Sequence, residues 1–185
     1  MKPTLLVIDI QNDYFPEGKM ELSEMDSAAE NAKNLISFFR KNNWEVVFIQ
    51  HLAIKPTASF FIPGTFGAEI HESVRPLENE TVIVKNYPNS FRNTNLHQHL
   101  QMAQAFDLVI CGAMTHMCVD TTTRAAADLG YSCTLISDAC ATRDLTFNDQ
   151  QVSAVDVQIA YLAAIDGTFA NVISTDQFQN SRHPR

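Results

Sequence analysis

The sequence has too little positive charge and too few long apolar runs for several common classes of protein. Its 185 residues include 13 Lys and Arg against 21 Asp and Glu, which gives a formal net charge of −8. An acidic chain lacks the basic footprint of proteins that bind nucleic acid or anionic membranes. Its apolar runs are far shorter than the roughly 20 residues that span a bilayer. We therefore expect neither a nucleic-acid partner nor a membrane partner.

Two further absences concern the cellular compartment. The N-terminus leads straight into a strand-like run, without the small-residue cleavage site of a secretory signal. The chain has four cysteines that lack metal-site spacing: Cys111, Cys118, Cys133 and Cys140. Cysteines this sparse in a chain of this length are typical of reduced thiols. These observations predict a cytoplasmic protein.

The order of the predicted elements indicates the fold class. Short β-rich apolar runs, typical of strands buried on both faces, alternate with helical patterns along the chain. The predicted strands cover 4–8, 45–50, 81–85, 107–111, 132–137 and 171–174, and predicted helices include 93–104, 117–129 and 147–163. This alternation predicts a single α/β domain over residues 1–185, in three α/β/α layers around a mainly parallel sheet. The pattern leaves the strand order open.

Local signals predict where helices begin and end. Ser27-Ala28-Ala29-Glu30 has the form of a capping box and predicts the start of the first helix. Gly130 is placed to end the helix over 117–129 as a left-handed C-cap. The connection from 51 to 80 has no clear periodicity, and connections of that length are commonly functional segments or lids. The polar tail from 177 to 185 predicts a frayed end.

Chemically reactive side chains follow three of the predicted strands. Asp9 follows the first strand, Lys85 ends the third, and Cys118 lies in the first turn of the helix after the fourth. Because ligands of open α/β sheets bind outside the carboxyl ends of the strands, we expect these residues to meet at one rim. Each also has a structural alternative: a capping carboxylate, a solvated lysine and a buried small side chain.

Cys118 has the sequence context of an activated thiol. The first turn of a helix offers unpaired N–H groups and a positive dipole end, which favour a thiolate. Together with the Lys85 ammonium, these groups predict a lowered thiol pKa. Asp9 can accept the thiol proton and later activate water. The other three cysteines lack such neighbours, and we expect them to be structural thiols.

Three separated motifs of the chain resemble the isochorismatase-like cysteine hydrolases, a superfamily that includes isochorismatases, nicotinamidases and N-carbamoylsarcosine amidohydrolases. They are Leu6-Val7-Ile8-Asp9-Ile10-Gln11-Asn12-Asp13-Tyr14-Phe15, then Val84-Lys85, then Gly112-Ala113-Met114-Thr115-His116-Met117-Cys118-Val119. The resemblance implies a six-stranded Rossmann-like sheet and a triad in which Cys118 is the nucleophile, Asp9 the general base and Lys85 the electrostatic partner. It also implies a small-molecule substrate and a homo-oligomer, either dimer or tetramer.

The resemblance further implies a cis peptide bond between Ala113 and Met114. That turn would aim the backbone N–H of Met114, together with that of Cys118, at a developing oxyanion. Candidate substrate-binding residues follow the strand ends or precede the nucleophile: Phe15, Phe61, Phe91 and His116. Packing is the alternative for each aromatic ring, and a hydrogen bond within the turn is the alternative for the histidine.

One departure from the family pattern bears on metal binding. Nicotinamidases carry a metal-binding Asp-x-His after the second strand, whereas this chain reads Gln50-His51-Leu52 there. We therefore expect no metal and no cofactor. The presence of Cys118 favours hydrolysis of an amide or carbamoyl C–N bond through a thioester. The alternatives are a vinyl ether hydrolase of the isochorismate type, with Asp9 as the acid, and a non-catalytic binding module.

Overall fold

A six-stranded parallel sheet forms the centre of the molecule. The structure is a computed structural model, and it describes residues 2–182. Its strands are β1 (Thr4–Ile8), β2 (Val46–His51), β3 (Thr81–Lys85), β4 (Asp107–Ala113), β5 (Ser132–Ala141) and β8 (Asn171–Ile173). The order across the sheet is β3-β2-β1-β4-β5-β8, and every neighbouring pair is parallel. A separate antiparallel hairpin is formed by β6 (Leu145–Phe147) and β7 (Gln150–Val152).

Helices cover both faces of the sheet. They are α1 (Met25–Lys41), α2 (Leu96–Met102), α3 (Asp120–Asp128), α4 (Ala154–Ile165) and α5 (Thr175–Arg182). Side chains alternate along β1, so that Leu5 and Val7 pack in the core under α1 and α5, whereas Leu6 and Ile8 pack in the core under α2, α3 and α4. The three-layer, Rossmann-like α/β fold expected from the sequence is therefore confirmed. Within residues 2–182, no helix is long and apolar enough to cross a membrane.

Two glycines control the backbone near the carboxyl edge of the sheet and at a helix end. A Cβ on Gly112 would lie 1.9 Å from the carbonyl oxygen of Ile8, so only glycine lets β4 approach the end of β1 this closely. Gly130, with a φ of +87°, follows α3. The Tyr131 N–H donates to the Ala126 carbonyl, which completes a left-handed C-cap and confirms the predicted end of that helix.

Three predicted helical regions differ in the structure. The predicted capping box is wrong, because α1 already begins at Met25 and the Ser27 hydroxyl instead donates to the exposed Glu24 carboxylate. The predicted helix over 93–104 is shorter, covering only α2. The predicted helix over 147–163 is wrong for its first residues, which belong to the hairpin of β6 and β7. Asn148 and Asp149 both have positive φ, as a tight hairpin turn requires, and α4 begins only after Ser153 caps it.

The frayed tail expected from residue 177 is also wrong as far as residue 182. Asp138, inside β5, accepts hydrogen bonds from the Thr175 N–H at 2.8 Å and from the Thr175 hydroxyl at 2.9 Å. These bonds cap the start of α5 and fix it to the sheet. Residues 183–185 of the expected tail lie outside the described residues.

Candidate active site

Asp9, Lys85 and Cys118 meet at the carboxyl edge of the sheet. Asp9 follows β1, Lys85 ends β3, and Cys118 lies in a π-helical segment, Thr115–Val119, between β4 and α3. The Lys85 Nζ lies 2.6 Å from the Asp9 Oδ2 and 3.2 Å from the Cys118 Sγ. All three side chains are buried. The structure thus brings together the residues that the sequence placed at one rim.

His51, the last residue of β2, is a fourth member of this cluster. Its Nδ1 lies 2.8 Å from the Lys85 Nζ and 3.9 Å from the Asp9 Oδ2. Burial, followed by the charge of Lys85, lowers the pKa of His51 to about 4. The imidazole is therefore neutral at pH 7, its Nδ1 accepts a hydrogen bond from the ammonium, and its proton lies on Nε2.

Lys85 contacts three polar side chains within the site. Its ammonium forms hydrogen bonds with the His51 Nδ1 and the Cys118 Sγ, and an ion pair with the Asp9 Oδ2. Burial alone lowers the pKa of Lys85, but the charge of Asp9 and the contacts with Asp9 and Cys118 outweigh it and raise the pKa above its usual value. Lys85 therefore stays charged and neutralises the Asp9 carboxylate.

The same cluster has the donor types of a metal site. One ligand atom each from Asp9, His51 and Cys118 lies within 4.8 Å of the others. The Lys85 ammonium contacts all three of these residues and so occupies the position that a cation would take. Gln50, the other polar residue at the end of β2, donates its amide to the Ala68 carbonyl at 2.8 Å. These residues do not fit a metal ion while Lys85 holds this position.

The pKa of the Cys118 thiol shifts in the direction opposite to the one expected from the sequence. Burial raises its pKa well above that of a free thiol, Asp9 raises it further, and Lys85 only partly opposes them. Because the charges of Asp9 and Lys85 cancel, a thiolate would be an uncompensated negative charge in a buried site. Cys118 therefore rests as a thiol.

The Asp9 carboxylate has an oxygen without a hydrogen-bond partner in the described part of the chain. This oxygen, Oδ1, is buried. The residue itself adopts a φ of +50°, an uncommon backbone conformation that Asp tolerates better than most residues. Its N–H is held by the Ile49 carbonyl at 3.0 Å. The carboxylate is thus fixed by the ends of β1 and β2 and by Lys85.

The turn before Cys118 has the geometry implied by the resemblance. The peptide bond between Ala113 and Met114 is cis. The Met114 carbonyl accepts hydrogen bonds from the Met117 N–H at 3.0 Å and from the Val119 N–H at 3.2 Å, which closes the π-helical segment around Cys118. The oxyanion-binding role of the Met114 and Cys118 N–H groups stays a prediction.

Two buried polar side chains after β1 attach the 51–80 connection to the site. Gln11 donates its amide to the carbonyls of His51 at 2.9 Å and Ala68 at 2.8 Å, and accepts from the His51 N–H at 2.7 Å. Asp13 accepts from the Phe61 N–H at 2.6 Å. These contacts join positions 40 to 57 residues apart, so sequence reasoning noted Gln11 and Asp13 only as parts of a motif.

A cavity of about 740 Å³ opens beside His51. Of the candidate substrate-binding residues, Phe61 lies in its wall, with its ring 5.8 Å from the His51 ring. The other three take part in different contacts. Phe15 stacks on His71 with ring centroids 3.6 Å apart, Phe91 stacks on Tyr131 at 5.9 Å, and His116 hydrogen-bonds Thr142 through Nδ1. Phe15 and Phe91 thus take part in packing, and the partner of His116 lies after β5 rather than in its own turn. A substrate-binding role for these three residues stays a prediction.

Comparisons with known proteins identify the family of the chain. The family model of the isochorismatase domain matches residues 3–177. The uncharacterized isochorismatase family protein YddQ of Bacillus subtilis is 52% identical over 178 residues, which cover 96% of this chain and 99% of that protein. A streptothricin hydrolase of Streptomyces noursei is 32% identical over 141 residues, or 76% of this chain and 50% of that protein. The crystal structure of an isochorismatase from Pseudomonas putida KT2440 is similar with a TM-score of 0.89 and 38% identity, and the match covers 95% of this chain and 89% of that one. The chain belongs to the isochorismatase family and is a hydrolase.

Proposed function

We propose that this hydrolase cleaves the C–N bond of a small amide or carbamoyl compound without a metal, through a thioester on Cys118. The observation that carries this proposal is the contact of one ammonium, Lys85 Nζ, with Asp9 at 2.6 Å and with Cys118 at 3.2 Å in a buried site. A nucleophile, a base and a compensating charge are thereby within reach of one substrate carbonyl.

In the first step the Cys118 Sγ attacks the substrate carbonyl while its proton passes to the Asp9 carboxylate. The negative charge moves to the carbonyl oxygen, where the N–H groups of Met114 and Cys118 would donate hydrogen bonds. Proton transfer during attack avoids a free buried thiolate, which the raised pKa of Cys118 disfavours. Lys85 keeps its contact with the Asp9 carboxyl group throughout.

In the second step the tetrahedral intermediate collapses. Asp9 gives its proton to the leaving nitrogen, the C–N bond breaks, and the amine departs from the thioester. Water then loses a proton to Asp9 and attacks the thioester carbon. The carbon–sulfur bond breaks, the thiol regains a proton from Asp9, and the acid product leaves.

A second candidate function follows from the free Asp9 oxygen. Hydrolysis of a vinyl ether, as in isochorismate, needs an acid that protonates the substrate carbon. The Asp9 Oδ1 has no hydrogen-bond partner in the described part of the chain, so a protonated Asp9 would have an unengaged carboxyl oxygen for this role. That reaction does not need Cys118.

Removing the thiol separates the two functions. We expect Cys118→Ala to lower kcat/KM for amide or carbamoyl compounds by at least about a thousandfold, because the covalent route is lost. Release of ammonia or amine from a panel of such compounds, with isochorismate run in parallel, measures this. Cys133→Ala, which removes another buried thiol away from the triad, is the matched control. Full activity of Cys118→Ala on isochorismate, with loss in Asp9→Asn, would support the second function and overturn the first.

A further inference from the structure

Helix α4 is apolar on its exposed side as well as on its buried side. The buried side consists of Ala154, Val157 and Ile165. The exposed side carries a row at the spacing i, i+4, i+8, which consists of Val155, Ile159 and Ala163. A helix that covers a sheet normally has polar or charged side chains on its outer side. The outer side of α4 is therefore an apolar surface that no element within residues 2–182 covers.

The β6–β7 hairpin adds a protruding aromatic side chain next to this surface. Phe147 is 78% exposed, and the register of the two strands places it on the same face of the hairpin as the exposed Val152. The Asp144 carboxylate accepts hydrogen bonds from the Gln151 amide and from the Ala154 N–H, both at 2.7 Å. These bonds tie the hairpin to the start of α4, so the support of Phe147 has a defined position relative to that helix.

A recess of about 250 Å³ lies on the other side of the α4 row, towards the start of α1. Val155 and Ile159 form part of its lining, together with Ala28 of α1 and with Cys140 and Ala141 of β5. A cavity of about 150 Å³ is large enough to hold benzene, so the recess has room for one phenyl ring. The same side of the molecule thus carries both a protruding ring and a recess that can receive one.

The charges on this side permit two copies of the chain to approach each other. The whole chain has a formal charge of −8, which makes two copies repel. Along α4 this repulsion is small, because Asp156 is its only charged residue. The recess lining adds two carboxylates, Glu24 and Asp138, which accept hydrogen bonds within the chain from Ser27 and Thr175.

The exposed apolar area is close to what one side of a dimer contact needs. We call this surface the α4 face, and its members are Phe147, Val152, Val155, Ile159 and Ala163. Its four larger side chains expose 44% to 78% of their surface. At about 150–250 Å² for each large side chain, they present roughly 400–600 Å². A specific interface buries about 800 Å² on each partner, of which somewhat more than half is apolar.

We propose that the α4 face is the contact between two copies of this chain related by a two-fold axis. A two-fold contact uses the same surface on both copies, so the protruding Phe147 and the recess of each copy meet the other copy together. The exposed Ala160, Ala163 and Ala164 let the two α4 helices pack closely. The undescribed residues, 1 and 183–185, are too few to cover the α4 face instead.

Sedimentation velocity of the full chain at micromolar concentration tests this contact. We expect the wild type to sediment as a dimer. Ile159→Glu buries a carboxylate from each copy in the contact, and Phe147→Ser removes the protruding ring. Each substitution should raise the dimer dissociation constant at least about tenfold. Both side chains are exposed, so circular dichroism of the two variants should match that of the wild type.

Two control variants alter exposed apolar side chains elsewhere. Met102→Glu on α2 and Val82→Glu on the edge strand β3 should leave the dimer intact. High salt should tighten the dimer, because it screens the repulsion between two acidic copies. A tetramer that the α4-face substitutions reduce to a dimer also supports the proposal. A monomeric wild type overturns it, as does an oligomer that withstands both α4-face substitutions or that only Val82→Glu dissociates.

Discussion

At the scale of single residues, Lys85 determines the electrostatics of the site. It neutralises Asp9, accepts no proton itself, and fixes the tautomer of His51 through the 2.8 Å contact with Nδ1. Because this charge is already matched by Asp9, little of it is left to stabilise a thiolate on Cys118. This charge balance supports the proposed proton transfer during attack over a preformed thiolate.

Replacing Lys85 leaves Asp9 as an unpaired buried charge. Removing one partner of such a pair costs about 3–5 kcal/mol, so we expect the free energy of unfolding of Lys85→Met to fall by that amount and turnover to be lost. The double variant Lys85→Met/Asp9→Asn removes both charges and should recover most of the stability without activity. Urea denaturation measures the stabilities, with the exposed Lys41→Met as the control. Wild-type stability in Lys85→Met would show that Asp9 carries no charge in the folded protein.

The sequence allowed the meeting of Asp9, Lys85 and Cys118 to be predicted because each lies at or after the end of a strand whose apolar run is easily recognised. It did not allow His51 to be assigned to the site, because the contact of His51 with Lys85 depends on β2 lying between β1 and β3. The direction in which the pKa of Cys118 shifts could not be predicted from the sequence either. It follows from burial and from the charge balance between Asp9 and Lys85, neither of which a helix-terminus argument contains.

At the scale of elements, the strands were predicted best where they are buried on both faces. The bounds of β1 and β3 agree with the prediction, whereas β5 continues to Ala141, well beyond the expected end at Ser137. Asp138 is a polar residue inside this strand. In the structure its carboxylate is satisfied by Thr175 at the start of α5, a partner 37 positions away that no local pattern reveals.

The wrongly predicted helix start at 147 has a different cause. The predicted helix over 147–163 included Phe147 and Val152, which are exposed over 78% and 44% of their surface and contribute little to the core. The Asn148-Asp149 pair was the available signal for a turn, because these residues tolerate the positive φ of a two-residue hairpin loop. Turn chemistry, rather than apolar spacing, decides the structure of this segment.

At the scale of the whole molecule, the four cysteines couple stability to pH. Burial raises the pKa of each thiol, to about 12 for Cys133 and Cys140. In the unfolded chain a thiol ionises near pH 8.5, so the folded state keeps protons that the unfolded state releases. This contribution to stability is complete below about pH 8.5 and is lost as pH rises towards the folded pKa values.

We therefore expect the free energy of unfolding to fall by several kcal/mol between pH 8 and pH 10, because each buried thiol contributes a slope of up to about 1.4 kcal/mol per pH unit. Urea denaturation at a series of pH values measures the decline. Cys133→Ala should show a shallower decline than the wild type. A free energy of unfolding that stays constant from pH 8 to pH 10 would mean that the thiols ionise as easily in the folded protein as in the unfolded one.

The cytoplasmic location and the dimer or tetramer stay predictions, as does the extent of the single domain over residues 1–185. The fold, in contrast, follows from the alternation of buried strands and helices along the sequence, which is why its class was accessible before its strand order.

The most direct test of the account is detection of an acyl group on Cys118 during turnover. A reaction with an amide or carbamoyl substrate is quenched in acid within one turnover, and intact-mass and peptide mass spectrometry follow. We predict a mass increase equal to the acyl group on the peptide that contains Cys118, removable by hydroxylamine and absent in Cys118→Ala. Product formed in a single turnover with Cys118 unmodified at every quench time would contradict a covalent mechanism.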